Sequence, residues 1–222
     1  AHNGNGGGQP SALLQVLEAV NDGDDAHPFF ELLKRVEDFL RGEVLLVAQT
    51  QGLADDKSLA LGGGLGINYD DPEKDPVPDF KSYFKTFANG LRLRPGQKVH
   101  FELGRSIVAQ MGSLITKVLY VKKGVNKLFC IVDAGMTDLI RPALYHASHK
   151  IENITIGKPS ETYDVVGPIC ESSDVFAKDI PVGACERGDL IAMRSAGAYG
   201  EIMASQYNCR RLPVGYTSED FK

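Results

Sequence analysis

The rhythm of apolar and polar positions changes about halfway along the chain. In the first half apolar residues recur at helical spacing between short apolar runs that end in polar or glycine-rich loops. Ser11 has the side chain to cap a helix reaching Val20, with Leu13, Leu14, Leu17 and Val20 on one face. Pro28 opens a second helix, and Phe29, Leu32, Leu33, Val36, Phe39 and Leu40 give it a wide apolar stripe. Residues 44–48 read equally as a buried strand or as more helix. Leu59, Ala60 and Leu61 form a short strand running into Gly62-Gly63-Gly64-Leu65-Gly66. A polar, proline-rich loop over 70–78 leads to a helix predicted over 79–91. Pro95-Gly96 is a turn, and residues 99–103 are a second short strand ending at Gly104-Arg105.

From residue 106 onward the pattern turns toward alternation. Residues 106–122 are rich in Ile, Val, Leu and Tyr and read as strand. Further strands are predicted over 127–133, 162–166 and 189–192, with turns between them. The fold class expected is therefore α/β followed by β, with the boundary near residue 106 and no internal repeat.

Composition removes several classes of protein. Of 222 residues, 43% are apolar and 24% charged, a globular balance that argues against wholesale disorder. No run approaches the roughly 18 apolar residues of a membrane span. Residues 1–10 are Gly- and Asn-rich, without the basic and apolar regions of a signal peptide, and read as a flexible lead-in. The net charge of −5 comes without a Lys/Arg block, so no nucleic-acid partner is expected. Cys130, Cys170, Cys185 and Cys209 form no C-x-x-C pair, which speaks against a zinc ribbon or a thioredoxin-type site. Their even count allows disulfides, but a chain this long can build a core without them, and reduced thiols in a cytoplasmic protein are expected. No metal is expected.

Five short segments carry residue types suited to chemistry. The glycine loop over 62–66 can turn backbone N–H groups toward a phosphate, or can simply be a tight turn. Phe101-Glu102-Leu103-Gly104-Arg105 places an arginine fork at a strand end, where it can take an anion or pair with Glu102. Arg141-Pro142-Ala143-Leu144-Tyr145 reads as a helix start that sets a guanidinium and a phenol four residues apart. Gly167-Pro168-Ile169-Cys170-Glu171-Ser172-Ser173-Asp174 surrounds one thiol with polar groups that a core would not gather. Ser195-Ala196-Gly197-Ala198-Tyr199-Gly200 packs small residues around one ring, as in a binding surface or a plain bend. His146 and His149 share a spacing of three with no completing ligand, and read as structural or exposed.

In this order, the five segments and Asp133-Ala134-Gly135-Met136 resemble diaminopimelate decarboxylase, a pyridoxal-phosphate family with an alanine-racemase-like barrel and a C-terminal β-domain. The resemblance runs from about Leu59 to Lys222; Leu103 stands where the family usually has Pro. It implies decarboxylation of meso-2,6-diaminopimelate to L-lysine and CO2, the last step of lysine biosynthesis, in a cytoplasmic homodimer. Gly62, Gly63, Gly64, Glu102, Gly104 and Arg105 are implied to cradle the cofactor phosphate, and Tyr199 to stand at cofactor and substrate. Arg105, Arg141 and Tyr145 are implied to bind substrate carboxylate. Cys170 is implied as the proton donor and Glu171 as the receptor of the distal ammonium, both reaching the other subunit's active site. A complete eightfold barrel takes roughly 250 residues, so residues 1–105 are expected to form only part of one. They hold no match to the family's cofactor-lysine segment or to its His-Ile-Gly-Ser segment. The alternatives are a non-catalytic module that dimerises and binds anions, and a decarboxylase of another basic amino acid.

Overall fold

The computed structural model describes residues 58–155, 157 and 159–220. The helices expected over 11–20 and 28–40 and the segment 44–48 lie outside the described residues. What is described forms two units: residues 58–62 with 79–102, and residues 63–78 with 103–220.

The first unit is a βαβ crossover. Strand β1 (Ser58–Ala60) pairs in parallel with β2 (Lys98–His100), in the register Ser58 to Lys98, Leu59 to Val99 and Ala60 to His100. Parallel neighbours need a crossover, supplied here by helix α1 (Phe80–Gly90). Asp79 caps it: its carboxylate accepts from the Ser82 amide at 2.9 Å, and those hydrogen bonds hold its pKa below the usual value. At the other end, the Leu91 amide donates to Phe87 O at 2.8 Å. The helix turns Tyr83 and Phe87 inward, and Phe101 meets both rings edge-on, at 5.7 and 5.1 Å between centroids.

The second unit is a nearly closed mixed sheet. Its strands are β3 (Leu114–Lys123), β4 (Leu128–Val132), β5 (Ile151–Asn153), β6 (Ser160–Val166), β7 (Val175–Gly183) and β8 (Leu190–Met193). They lie in the order β5-β8-β3-β4-β6-β7. Only β4 and β6 run in parallel; the other neighbours are antiparallel. The two edge strands approach one another. There the Asn153 amide nitrogen reaches Gly183 O at 3.3 Å, Ala184 O at 3.2 Å and Asp189 Oδ2 at 3.1 Å, tying the edges through a side chain rather than a ladder. Buried and exposed positions alternate in the first half of β3, whereas β6 and β8 each bury three consecutive residues; Val118, Cys130, Val132, Tyr163, Val165, Ile191 and Met193 belong to the core.

The strand expected over 106–122 is divided. Its first part is a short helix α2 (Arg105–Val108) followed by a 3₁₀ turn (Ala109–Met111), and β3 begins only at Leu114. The Gly104 carbonyl accepts from both Ile107 and Val108 amides, at 3.0 and 3.2 Å, which winds the segment. Gly112 returns it to extended backbone. Short apolar runs suit either state, so the pattern alone does not separate them. Strand β7 escapes the pattern for another reason: Lys178, Asp179 and Pro181 interrupt its alternation, and Asp179 has φ +53°. Among the described residues the four cysteines form no disulfide; Cys130 and Cys185 lie in the core and Cys170 and Cys209 are exposed.

Candidate active site

The sequence candidates fall into separate groups. In the first unit, the Glu102 amide donates to Gly62 O at 2.7 Å, and Gly62 takes φ +68°, so the glycine loop and the strand end are joined by main chain. Gly63 and Gly64 belong to the second unit, where Gly64 has φ +95°.

A cationic cluster occupies the second unit. Arg141 and Pro142 start helix α3 (Arg141–Tyr145), and Arg141 is only 4% exposed. Its guanidinium lies 4.6 Å from the centroid of the Tyr69 ring and 2.9 Å from His149 Nε2. Arg105 stands 5.8 Å from the Tyr199 ring centroid. Among the described residues neither arginine pairs with a carboxylate. Burial, joined by repulsion from Arg105, lowers the Arg141 pKa, while the phenols of Tyr69, Tyr145 and Tyr199 act in the opposite sense. Burial raises the Tyr69 pKa, against the nearby charges of Arg141 and Arg105.

Main chain locks the two halves of this cluster together. The Ala196 amide donates to Gly112 O and the Gly197 amide to Ala109 O, both at 2.9 Å. A Cβ on Gly197 would stand 2.1 Å from Val108 O and 3.0 Å from Ala109 O. The small residues before Tyr199 therefore let its loop lie flat on the turn that follows Arg105. Ser195 and Tyr199 accept positive φ, +58° and +60°. Three buried hydroxyls, those of Tyr69, Ser106 and Ser195, have no hydrogen-bond partner among the described residues. Two arginines without carboxylate partners among the described residues, neighbouring phenols and unmet hydroxyls fit an anionic ligand bearing carboxylate or phosphate.

Cys170 and Glu171 stand in the same unit, on the loop that precedes β7. No hydrogen bond, ion pair or ring contact joins them to the cationic cluster among the described residues. Their loop is clasped by Asp174, 3% exposed, whose carboxylate accepts from Met136 N and Ile169 N, both at 2.6 Å. Burial pushes the Asp174 pKa up, and the two amides and Arg210 pull against it. Gly167 makes room for the clasp, since a Cβ there would stand 2.4 Å from Asp174 Oδ2. Exposed Cys170 and Glu171 project from the loop, and the Tyr207 hydroxyl donates to Glu171. Met136, Thr137, Ile140, Glu171, Ser173 and Tyr207 line most of a groove of about 400 Å³ beside it.

Four contributors carry no motif: Tyr69, His149, Asp174 in its clasping role and Tyr207. His146 is exposed and ends α3 with φ +53°, as a bland reading of the two histidines allows. His149 instead is buried against Arg141. The only signal for it was its position eight residues after Arg141.

Residues 20–197 match the family model described as pyridoxal-dependent decarboxylase, C-terminal sheet domain. The chain is 69% identical over 160 residues to a diaminopimelate decarboxylase of Bacteroides thetaiotaomicron, covering 72% of this chain and 42% of that protein. It is 41% identical over 208 residues to the Pseudomonas aeruginosa diaminopimelate decarboxylase, covering 90% of this chain and 48% of that one. A crystal structure of a Helicobacter pylori diaminopimelate decarboxylase mutant with L-lysine superposes with a TM-score of 0.68 at 43% identity, over 80% of this chain and 44% of that one. The chain thus spans less than half the length of these relatives.

Proposed function

Because this chain belongs to the pyridoxal-dependent decarboxylases, through their C-terminal sheet domain, we propose that it serves the decarboxylation of meso-2,6-diaminopimelate to L-lysine and CO2. The observation that carries this reading is the buried Arg141 and neighbouring Arg105, two cations set among phenols and without carboxylate partners among the described residues. Residues 1–105 are read as part of a (β/α) barrel, supported by the β1-α1-β2 crossover, and 106–222 as the β-domain. The protein is read as a cytoplasmic homodimer; no helix among the described residues is long and apolar enough to cross a membrane.

In this reading Arg105, Arg141 and Tyr145 grip substrate carboxylate, with Arg141 offering a planar fork that a lysine lacks. Glu171, oriented by Tyr207, takes the distal ammonium. Tyr199 closes over the reacting end of the substrate. The backbone of Gly62, Gly63, Gly64 and Gly104, with Glu102 and Arg105, holds the cofactor phosphate. Pyridoxal phosphate, when bound, supplies the sink for the electron pair left at the α-carbon. Cys170 donates its thiol proton to that carbon after CO2 departs, and solvent returns the proton to sulphur. Cys170 and Glu171 make no hydrogen bond, ion pair or ring contact with the arginines among the described residues, which agrees with their delivery from the second subunit.

The test is CO2 release by the full-length protein from meso-diaminopimelate, ornithine and arginine. The reading expects meso-diaminopimelate to be preferred and Glu171→Gln to reduce that preference. Equal or better turnover of ornithine overturns the substrate assignment.

A further inference from the structure

We propose that His149 is the positioning residue for Arg141, holding its guanidinium through a neutral imidazole so that the full positive charge remains for a ligand carboxylate. The inference rests on the reading that Arg141 binds substrate carboxylate.

Hydrogen-bond logic fixes the state of the ring. His149 Nδ1 lies 2.8 Å from the Arg194 backbone oxygen, which can only accept. Nδ1 therefore carries the hydrogen. Nε2, 2.9 Å from Arg141, is left as the acceptor for a guanidinium that can only donate. Aromatic packing fixes the ring plane, since Tyr69 meets His149 edge-on at 5.1 Å and 76°. The surroundings also oppose a second proton. His149 is 7% exposed, and burial together with the Arg141 charge holds its pKa down to about 4. Of the other charged groups nearby, the Arg194 side chain faces Glu152 at 3.8 Å, as does Lys150 at 3.0 Å. Neither bonds to the imidazole.

The choice of a neutral partner has a consequence for recognition. A buried arginine is ordinarily held by a carboxylate, which satisfies both its hydrogen bonds and its charge. A carboxylate in the place of His149 would compete with the substrate for the same fork. Imidazole satisfies one N–H and fixes the direction of the planar group while leaving the charge uncompensated. Tyr69 does the same from the ring face, because cation–π contact orients without neutralising.

The experiment compares His149→Gln, His149→Phe and His149→Glu with Arg141→Lys in the full-length holoenzyme. It reads KM for meso-diaminopimelate, kcat and thermal midpoint, with ¹⁵N NMR of the His149 ring in the wild type. Loss of a hydrogen bond to a charged group corresponds to about a ten- to hundredfold change. His149→Phe and His149→Glu are expected to raise KM on that scale with a smaller change in kcat. His149→Gln, which keeps a neutral acceptor, is expected to restore most of the loss. The ¹⁵N spectrum should show Nδ1 protonated and Nε2 bare at neutral pH. If His149→Glu folds and binds substrate as the wild type does while Arg141→Lys does not, the positioning role is overturned and the carboxylate reading stands. If Arg141→Lys leaves KM unchanged, the carboxylate reading fails. A ring protonated at Nε2 overturns the proposal by itself.

Discussion

Replacing Gly197 by Ala probes how the site is assembled with a single methyl group. The added carbon meets only main chain: Val108 O at 2.1 Å, the Gly112 amide nitrogen at 2.9 Å and Ala109 O at 3.0 Å. No side chain can rotate away, so the loop must lift by about 1 Å to reach ordinary packing distances. Lifting it breaks the Gly197 N–Ala109 O and Ala196 N–Gly112 O bonds. Losing two such bonds, with Ala109 and the Ser195 side chain already sealed from water, is worth about 2–4 kcal/mol. The loop carries Tyr199 and the turn beneath it follows Arg105, so substrate binding should weaken along with stability. Urea denaturation of the full-length protein measures the first effect and KM the second. Gly215→Ala is the control. Its Cβ would come no closer than 3.5 Å to a carboxylate oxygen of exposed Glu201, and its effect should stay within about 0.5 kcal/mol. A Gly197→Ala protein as stable as the control, with unaltered KM, would refute this account of how Arg105 and Tyr199 are held together.

Two further predictions concern titration and the thiol loop. His149 has a folded-state pKa of about 4 against an ordinary 6.5, so the unfolded chain binds the proton more readily. Its contribution to stability is complete above pH 6.5 and is lost as pH falls toward 4, by about 3 kcal/mol in all; the difference between wild-type and His149→Gln denaturation curves across that range should show this slope, and a flat difference would contradict it. Asp174→Asn replaces one of two amide acceptors by a donor facing an N–H, and should cost about 2–3 kcal/mol. It should also reduce kcat more than it changes cofactor affinity, measured by turnover and by pyridoxal phosphate titration, since it loosens the loop that presents Cys170.

Much of the architecture was legible where local rules and tertiary packing agree. Helix α1 falls within the predicted 79–91 because Asp79 is a good cap and Tyr83 and Phe87 share a face. The Pro142 helix start and strands β4 and β8 follow from equally local signals. Strand β5 has only three residues, and β7 hides behind Pro181 and a left-handed Asp179, so neither presents a clean alternation. In the site, residues in recognisable motifs could be named in advance. Their supporting partners could not: Tyr69 and Arg141 are 72 positions apart by their numbers, and only folding sets one over the other. His149 shows the limit most clearly. Its spacing from His146 invited comparison with the wrong neighbour, whereas its chemistry is decided by Arg141 and the Arg194 carbonyl. The role of Asp174 likewise depends on the Met136 amide, 38 positions away, converging on the carboxylate that the nearby Ile169 amide also meets.

The most direct test of the central claim is a crystal structure of the full-length dimer with pyridoxal phosphate and L-lysine. The account predicts a lysine carboxylate bonded to Arg105 or Arg141, beside Tyr199, with Cys170 and Glu171 of the second subunit facing the same ligand. A ligand bound with its carboxylate away from both arginines would contradict it.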